Sequence, residues 1–134
     1  MELVQVLVVD DSTLWRDFVL RFFETKTGFK IIGVAVNGLE AVQKVDQLRP
    51  DVILMDIDLP GINGIEATRQ ICNTCPGSKI VFVSVFDDSA IVRAAFDVGG
   101  SGYILKHDFA QDLFPGIRAV LDGRQFLSRS LSPR

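Results

Sequence analysis

The stretch Val52-Ile53-Leu54-Met55-Asp56-Ile57-Asp58-Leu59-Pro60-Gly61-Ile62-Asn63-Gly64 decides the fold. Its first four residues form a short, unbroken apolar run, the signature of a strand covered on both faces. A carboxylate stands at the strand's exit, and the Pro and Gly residues beyond it mark turns. Ile65, Ala67, Thr68 and Ile71 then recur as the inner face of a helix. The unit is strand, acidic exit, loop, helix.

The same cycle repeats on both sides. Upstream, Val4–Val9 reads as a buried strand ended by Asp10-Asp11; Ser12 caps a helix carrying the stripe Trp15, Phe18, Val19 and Phe22, bordered by Leu14 and Phe23. Phe29–Ala35 is a second strand, followed by an Asn37-capped helix with Leu39, Val42, Val45 and Leu48 inward and Pro50 beyond it. Downstream, Lys79–Ser84 is a fourth strand, and Asp87-Asp88-Ser89 opens a helix through Ile91, Ala94, Ala95 and Val98 that ends at Gly99-Gly100. Gly102–Leu105 is a short fifth strand with Lys106 at its tip. Leu113, Ile117, Val120 and Leu121 line a last helix, whose first turn should hold Pro115. Five strands alternating with five helices imply an α/β fold with a parallel sheet covered on both faces.

At 134 residues the chain fits one domain. Its 48% hydrophobic and 23% charged residues are those of a globular protein, and no apolar stretch is long enough to span a membrane. The opening Met1-Glu2-Leu3-Val4-Gln5 has no basic region leading into an apolar segment, so the expected location is cytoplasmic. A net charge of −3 with dispersed Lys and Arg argues against nucleic-acid binding by this segment itself. Cys72 and Cys75 have redox-motif spacing but sit at a helix end before Pro76-Gly77, where the helix dipole disfavours thiolate. One packing cysteine and one helix-end cysteine are expected. With a single histidine, His107, a four-ligand zinc site is not expected either.

In a parallel sheet the carboxyl ends of the strands share one rim. Asp10, Asp11, Asp56, Ser84 and Lys106 all fall there, on the first, third, fourth and fifth strands. Clustered carboxylates repel unless a cation joins them, and Mg²⁺ takes one or two carboxylates while keeping several waters. Beside such an ion a carboxylate can attack phosphorus. Asp56 is the expected nucleophile, Lys106 its counter-charge and Ser84 a hydroxyl donor to the product.

The motifs Val8-Val9-Asp10-Asp11-Ser12, Leu54–Gly64, Val83-Ser84 and Gly102-Tyr103-Ile104-Leu105-Lys106 resemble the receiver domain of bacterial two-component response regulators. The resemblance implies a flavodoxin-like (βα)5 doubly wound sandwich with strand order 2-1-3-4-5. It implies that Asp56 takes a phosphoryl group from a histidine kinase or phosphotransfer protein, and that Asp10, Asp11, Asp56 and the backbone carbonyl of Asp58 bind Mg²⁺. Ser84 and Lys106 would read the product. Tyr103 would be the switch aromatic that turns inward and changes the face made by the fourth helix, fifth strand and fifth helix. Val85 would govern access to the site, and Ser12, Leu14 and Arg16 would dock the kinase. Such a domain catalyses only its own phosphorylation and dephosphorylation. The pattern near Val85-Phe86-Asp87-Asp88 and Leu121–Ser128 is similar to the NarL/FixJ class. Residues 1–122 are thus expected to form the receiver and 123–134 the start of a linker to a helix-turn-helix output domain not present here, so that DNA is contacted only through that domain; a homodimer is among the expected assemblies.

Three other readings compete. Asp56-Ile57-Asp58 matches the D-x-D of haloacid-dehalogenase-like Mg²⁺-dependent phosphatases, although those carry it on the first strand. A flavin-binding relative would meet the repulsion of Asp10-Asp11 where its phosphate should lie. A stand-alone receiver would act through protein contacts alone. One departure stands out: His107, not proline, follows Lys106, and since a cis non-proline bond costs about 3 kcal/mol a trans bond or visible strain is expected there.

Overall fold

The structure, a computed structural model, describes residues 2–131; Met1 and the tail residues Ser132, Pro133 and Arg134 lie outside the described residues. Six strands form one parallel sheet: β1 (Val4–Val9), β2 (Phe29–Ala35), β3 (Val52–Met55), β4 (Lys79–Ser84), β5 (Gly102–Leu105) and β6 (Phe126–Leu127), in the order β2-β1-β3-β4-β5-β6. The helices are α1 (Thr13–Glu24), α2 (Gly38–Leu48), α3 (Gly64–Thr74), α4 (Ser89–Asp97) and α5 (Phe109–Leu121). Side chains alternate across a strand, so each buried run feeds two cores. Val6, Val8, Val52, Leu54, Val81 and Val83 pack with Val19 and Phe23 of α1 and Leu113 and Ile117 of α5. Leu7, Val9, Ile53, Met55, Ile80 and Phe82 pack with α2, α3 and α4 on the other face.

The expected flavodoxin-like order 2-1-3-4-5 is present, extended by β6. The first two helices are rotated from their expected faces. Phe23 is buried and Phe18 is 40% exposed, because Val19 and Phe23, four residues apart, point into the sheet while Phe18 rides on Trp15 and Phe109. In α2 the buried residues are Ala41 and Val45, and Leu39 and Leu48 face outward. Pro115 does not lie in the first turn of α5, which already starts at Phe109. It is exposed, so it sits on the solvent side of the helix rather than in the core. Cys72 and Cys75 are unpaired: Cys72 packs against Gly99, and the buried Cys75 caps the end of α3. Burial pushes the Cys72 thiol up, as suits a packing role.

The largest departure is the tail. Residues 126–131 do not leave the domain as a linker but fold back beside β5 and over the first turn of α5. Buried Asp108 accepts hydrogen bonds from Ser128 Oγ (2.5 Å), Ser130 N (3.2 Å) and Ser130 Oγ (3.1 Å), and buried Asp112 accepts from Arg129 N (3.0 Å) and Nε (3.1 Å). Burial opposes ionisation of Asp108, but the hydroxyl and amide donors of Ser128 and Ser130 outweigh it, so its carboxyl titrates below the usual range. Asp108→Ala is expected to cost about 2 kcal/mol and to free the tail. Hydrogen exchange should then quicken at residues 126–131 and not in β1 or β3; equal protection throughout would contradict this role.

Candidate functional site

The rim above β1, β3, β4 and β5 is built by local rules. At the exit of β1, Asp10 N donates to Ala35 O (3.1 Å), and Asp56 N after β3 donates to Val9 O (3.0 Å), so the ladder carries both acids to one level. Asp10 Oδ1 accepts the Ser12 amide (2.8 Å), and Ser12 Oγ in turn accepts the Trp15 amide (3.2 Å), capping α1. Asp56 Oδ1 accepts the Ile57 amide (2.8 Å). Lys106, from the tip of β5, places Nζ 2.8 Å from Asp10 Oδ2 and 3.8 Å from Asp56 Oδ2. Asp10, Asp11 and Asp56 each offer an oxygen, all within 4.8 Å of one another.

Three carboxylates here face one ammonium. Burial first, and then the charge of Asp10, push the Asp56 carboxyl up to about 7, against the pull of Lys106 and the Ile57 amide. The site is short of positive charge. Hard oxygen donors converging in this way suit a divalent cation such as Mg²⁺, which would supply what Lys106 alone does not.

The loop after β3 is equally constrained. Gly64 N donates to Ile57 O (2.8 Å), closing residues 57–64 into a compact turn, and Asn63 caps α3 by accepting the Glu66 amide. Asp58 is exposed at the start of this loop. Ser84 ends β4 opposite Leu105 of β5, fully buried, with Oγ accepting the Phe86 amide (3.0 Å). Val85 beside it is 68% exposed at the mouth of the rim.

Tyr103 lies fully inside, near Phe82, with its hydroxyl donating to Phe86 O (2.7 Å). Of the expected docking residues, Leu14 is 84% exposed. Ser12 is engaged as the cap, and Arg16 Nη1 donates to the Asp10 carbonyl (2.7 Å), bracing the acidic turn from below. No cis peptide occurs among the described residues, so the Lys106–His107 bond is trans, and Lys106–Asp108 forms a single 3₁₀ turn.

Sequence reasoning missed one neighbour. The Trp15 ring, read as part of a core stripe, lies with its centroid 4.8 Å from Lys106 Nζ. The available signal was its position four residues after Asp11, one helical turn into α1 and back under the rim.

Residues 6–117 match the model of the response regulator receiver domain. The chain is 35% identical over 124 residues to the transcriptional regulatory protein DegU of Brevibacillus brevis and 34% identical over 130 residues to the response regulator GacA of Pseudomonas viridiflava, covering 92% and 97% of its own length. It spans 52% and 61% of those two relatives. Among solved structures it superposes on a two-component response regulator of the LuxR family from Aurantimonas sp. SI85-9A1 with a TM-score of 0.92, at 32% identity, covering 97% of this chain and 93% of that one. It matches the signal receiver domain of the putative response regulator NarL from Mycobacterium tuberculosis with a TM-score of 0.87, at 27% identity, over 92% of this chain and 100% of that one. With the family model spanning most of its length and the sheet order in place, the chain belongs to the response regulator receiver domain family.

Proposed function

We propose that Asp56 is the phosphoryl acceptor of this receiver, and the observation that carries the reading is the convergence of Asp10, Asp11 and Lys106 on its buried carboxylate. Its Oδ1 is held by the Ile57 amide, so Oδ2, which faces Lys106, is the attacking atom. In transfer from a kinase phosphohistidine, an Oδ2–P bond forms as the P–N bond breaks, and the leaving imidazole takes up a proton from water. The product is a mixed anhydride on Asp56.

Asp10, Asp11, Asp56 and the Asp58 carbonyl would hold Mg²⁺, whose charge favours the ionised nucleophile and offsets that of the incoming phosphoryl group. Lys106 exchanges its contact with Asp56 for one to a phosphoryl oxygen, and Ser84 Oγ turns from the Phe86 amide to donate to another. Because the Tyr103 hydroxyl donates to the carbonyl of Phe86, the residue whose amide Ser84 Oγ releases, that rotation disturbs the buried phenol through Phe86, and the signal begins there as a change in hydrogen bonding rather than in burial. Leu14 and the open side of Val85 offer apolar surface to a cytoplasmic histidine kinase or phosphotransfer protein.

The relatives named above are regulators that extend beyond the length matched here, which supports a longer parent protein with a DNA-binding output, reached through the segment after Leu131. In this reading the chain is not an enzyme toward other molecules, and the phosphatase alternative finds no support in a D-x-D on the third strand. Incubation with acetyl phosphate and Mg²⁺ is expected to add one phosphoryl mass to the wild-type chain, and none to Asp56→Asn or to wild type in EDTA. An equal gain in Asp56→Asn would overturn the assignment.

A further inference from the structure

We infer that Trp15 is a positioning residue for Lys106, keeping its ammonium at the rim over the indole face while the carboxylates serve other partners. The inference rests on the phosphoryl-acceptor reading of Asp56. Among the described residues, Lys106 Nζ meets Asp10 Oδ2 at 2.8 Å, Asp56 Oδ2 at 3.8 Å and the Trp15 ring centroid at 4.8 Å. Two of these are the groups that a divalent ion and a phosphoryl group claim during the reaction. The third is uncharged, binds no metal and takes no proton, so its attraction for the cation persists through every state of the site.

The ring is fixed well enough for the task. Ser12 Oγ accepts the Trp15 amide while Ser12 N donates to Asp10, so the indole and the carboxylate flanking Lys106 hang from one capping residue. Phe18 lies 5.1 Å from the indole on α1, and Phe109 meets it edge-on at 5.1 Å and 73°. Phe109 stands at the start of α5, just past the Lys106–Asp108 turn. One side chain therefore touches residues at both ends of that turn, in a chain whose turn has His107 after the lysine. The Lys106 side chain is 19% exposed, a partly desolvated setting in which the face of tryptophan attracts a cation more strongly than that of phenylalanine, and leucine not at all.

The test compares wild type, Trp15→Phe and Trp15→Leu in acetyl phosphate and Mg²⁺, reading phosphorylated mass against time, with thermal unfolding to verify that each variant is folded. Trp15→Leu is expected to accept phosphate about tenfold more slowly, and Trp15→Phe to recover to within about threefold of wild type. A wild-type rate in the leucine variant, or equal slowing in both, overturns the proposal. Because Trp15 is the single tryptophan, its emission reads the contact without any phosphodonor. Replacing Lys106 by methionine should change that emission in the resting protein, and an unchanged spectrum also overturns the proposal, including where Trp15→Leu fails to fold. If wild type itself gains no phosphate, the acceptor reading has failed; if wild type is phosphorylated and these differences are absent, only the role of Trp15 has.

Discussion

In buffer stripped of divalent cations, the Asp56→Asn chain is expected to resist urea better than wild type at about pH 8, by roughly 4 kcal/mol. In the unfolded chain this carboxyl ionises at its ordinary 3.8, whereas the fold holds its proton until about 7. Between those values the native state binds more protons than the unfolded one, so each rise in pH favours unfolding. The penalty is complete above 7 and gone below 3.8, and asparagine never incurs it. The two stability curves should therefore coincide near pH 4 and separate steadily up to neutrality. A gap that is the same at every pH would mean that the gain comes from packing rather than from the enforced charge. Mg²⁺ should stabilise wild type more than the variant, since it relieves the repulsion that asparagine has already removed.

Gly64→Ala is expected to cost at least about 3 kcal/mol and to abolish phosphorylation under conditions in which wild type is modified. A Cβ at Gly64 would stand 2.0 Å from the Asp56 carbonyl oxygen, 2.9 Å from its carbon and 3.0 Å from Ile57 Cα. All three are backbone atoms, so no rotamer change relieves the overlap. The loop can make room only by moving the strand exit that carries the nucleophile. Gly77→Ala is the matched control: its Cβ would meet nothing within 4 Å and its φ is not positive, so the change should be neutral or stabilise by about 0.5 kcal/mol. Urea unfolding with mass analysis of each variant checks both. Wild-type phosphorylation of Gly64→Ala would show that the loop tolerates displacement.

Much of this was legible in the chain because two kinds of signal are local and strong. The runs 4–9, 52–55 and 79–84 can bury such side chains only as central strands, and parallel topology then delivers whatever follows them to one rim. Asp10, Asp11, Asp56 and Lys106 could thus be brought together on paper. Features decided by packing across the sheet were not legible. The exact face of α1 depends on which ring Phe109 and Phe114 admit, so Phe23 and Phe18 exchanged their expected places. Pro115 in mid-helix is decided by which side faces water. The inward position of Tyr103 depends on a carbonyl seventeen residues away, at Phe86. The two-residue β6 is too short to show a period; it is held by backbone hydrogen bonds to Ser101 and Tyr103, and the residues after it by Asp108 and Asp112, all distant along the chain.

The docked tail also has a direction. β6 runs parallel to β5, so the backbone reaches Leu131 at the same end of the molecule as Lys106, with Ser130 Oγ touching both His107 Nε2 (3.2 Å) and Asp108 Oδ1 (3.1 Å). The described tail is thus rooted, through Ser130, in the Lys106–Asp108 turn itself. In the proposed reaction a shift of Lys106 would act first on the turn to which the arm's base is hydrogen-bonded, like a tiller fixed to its rudder post.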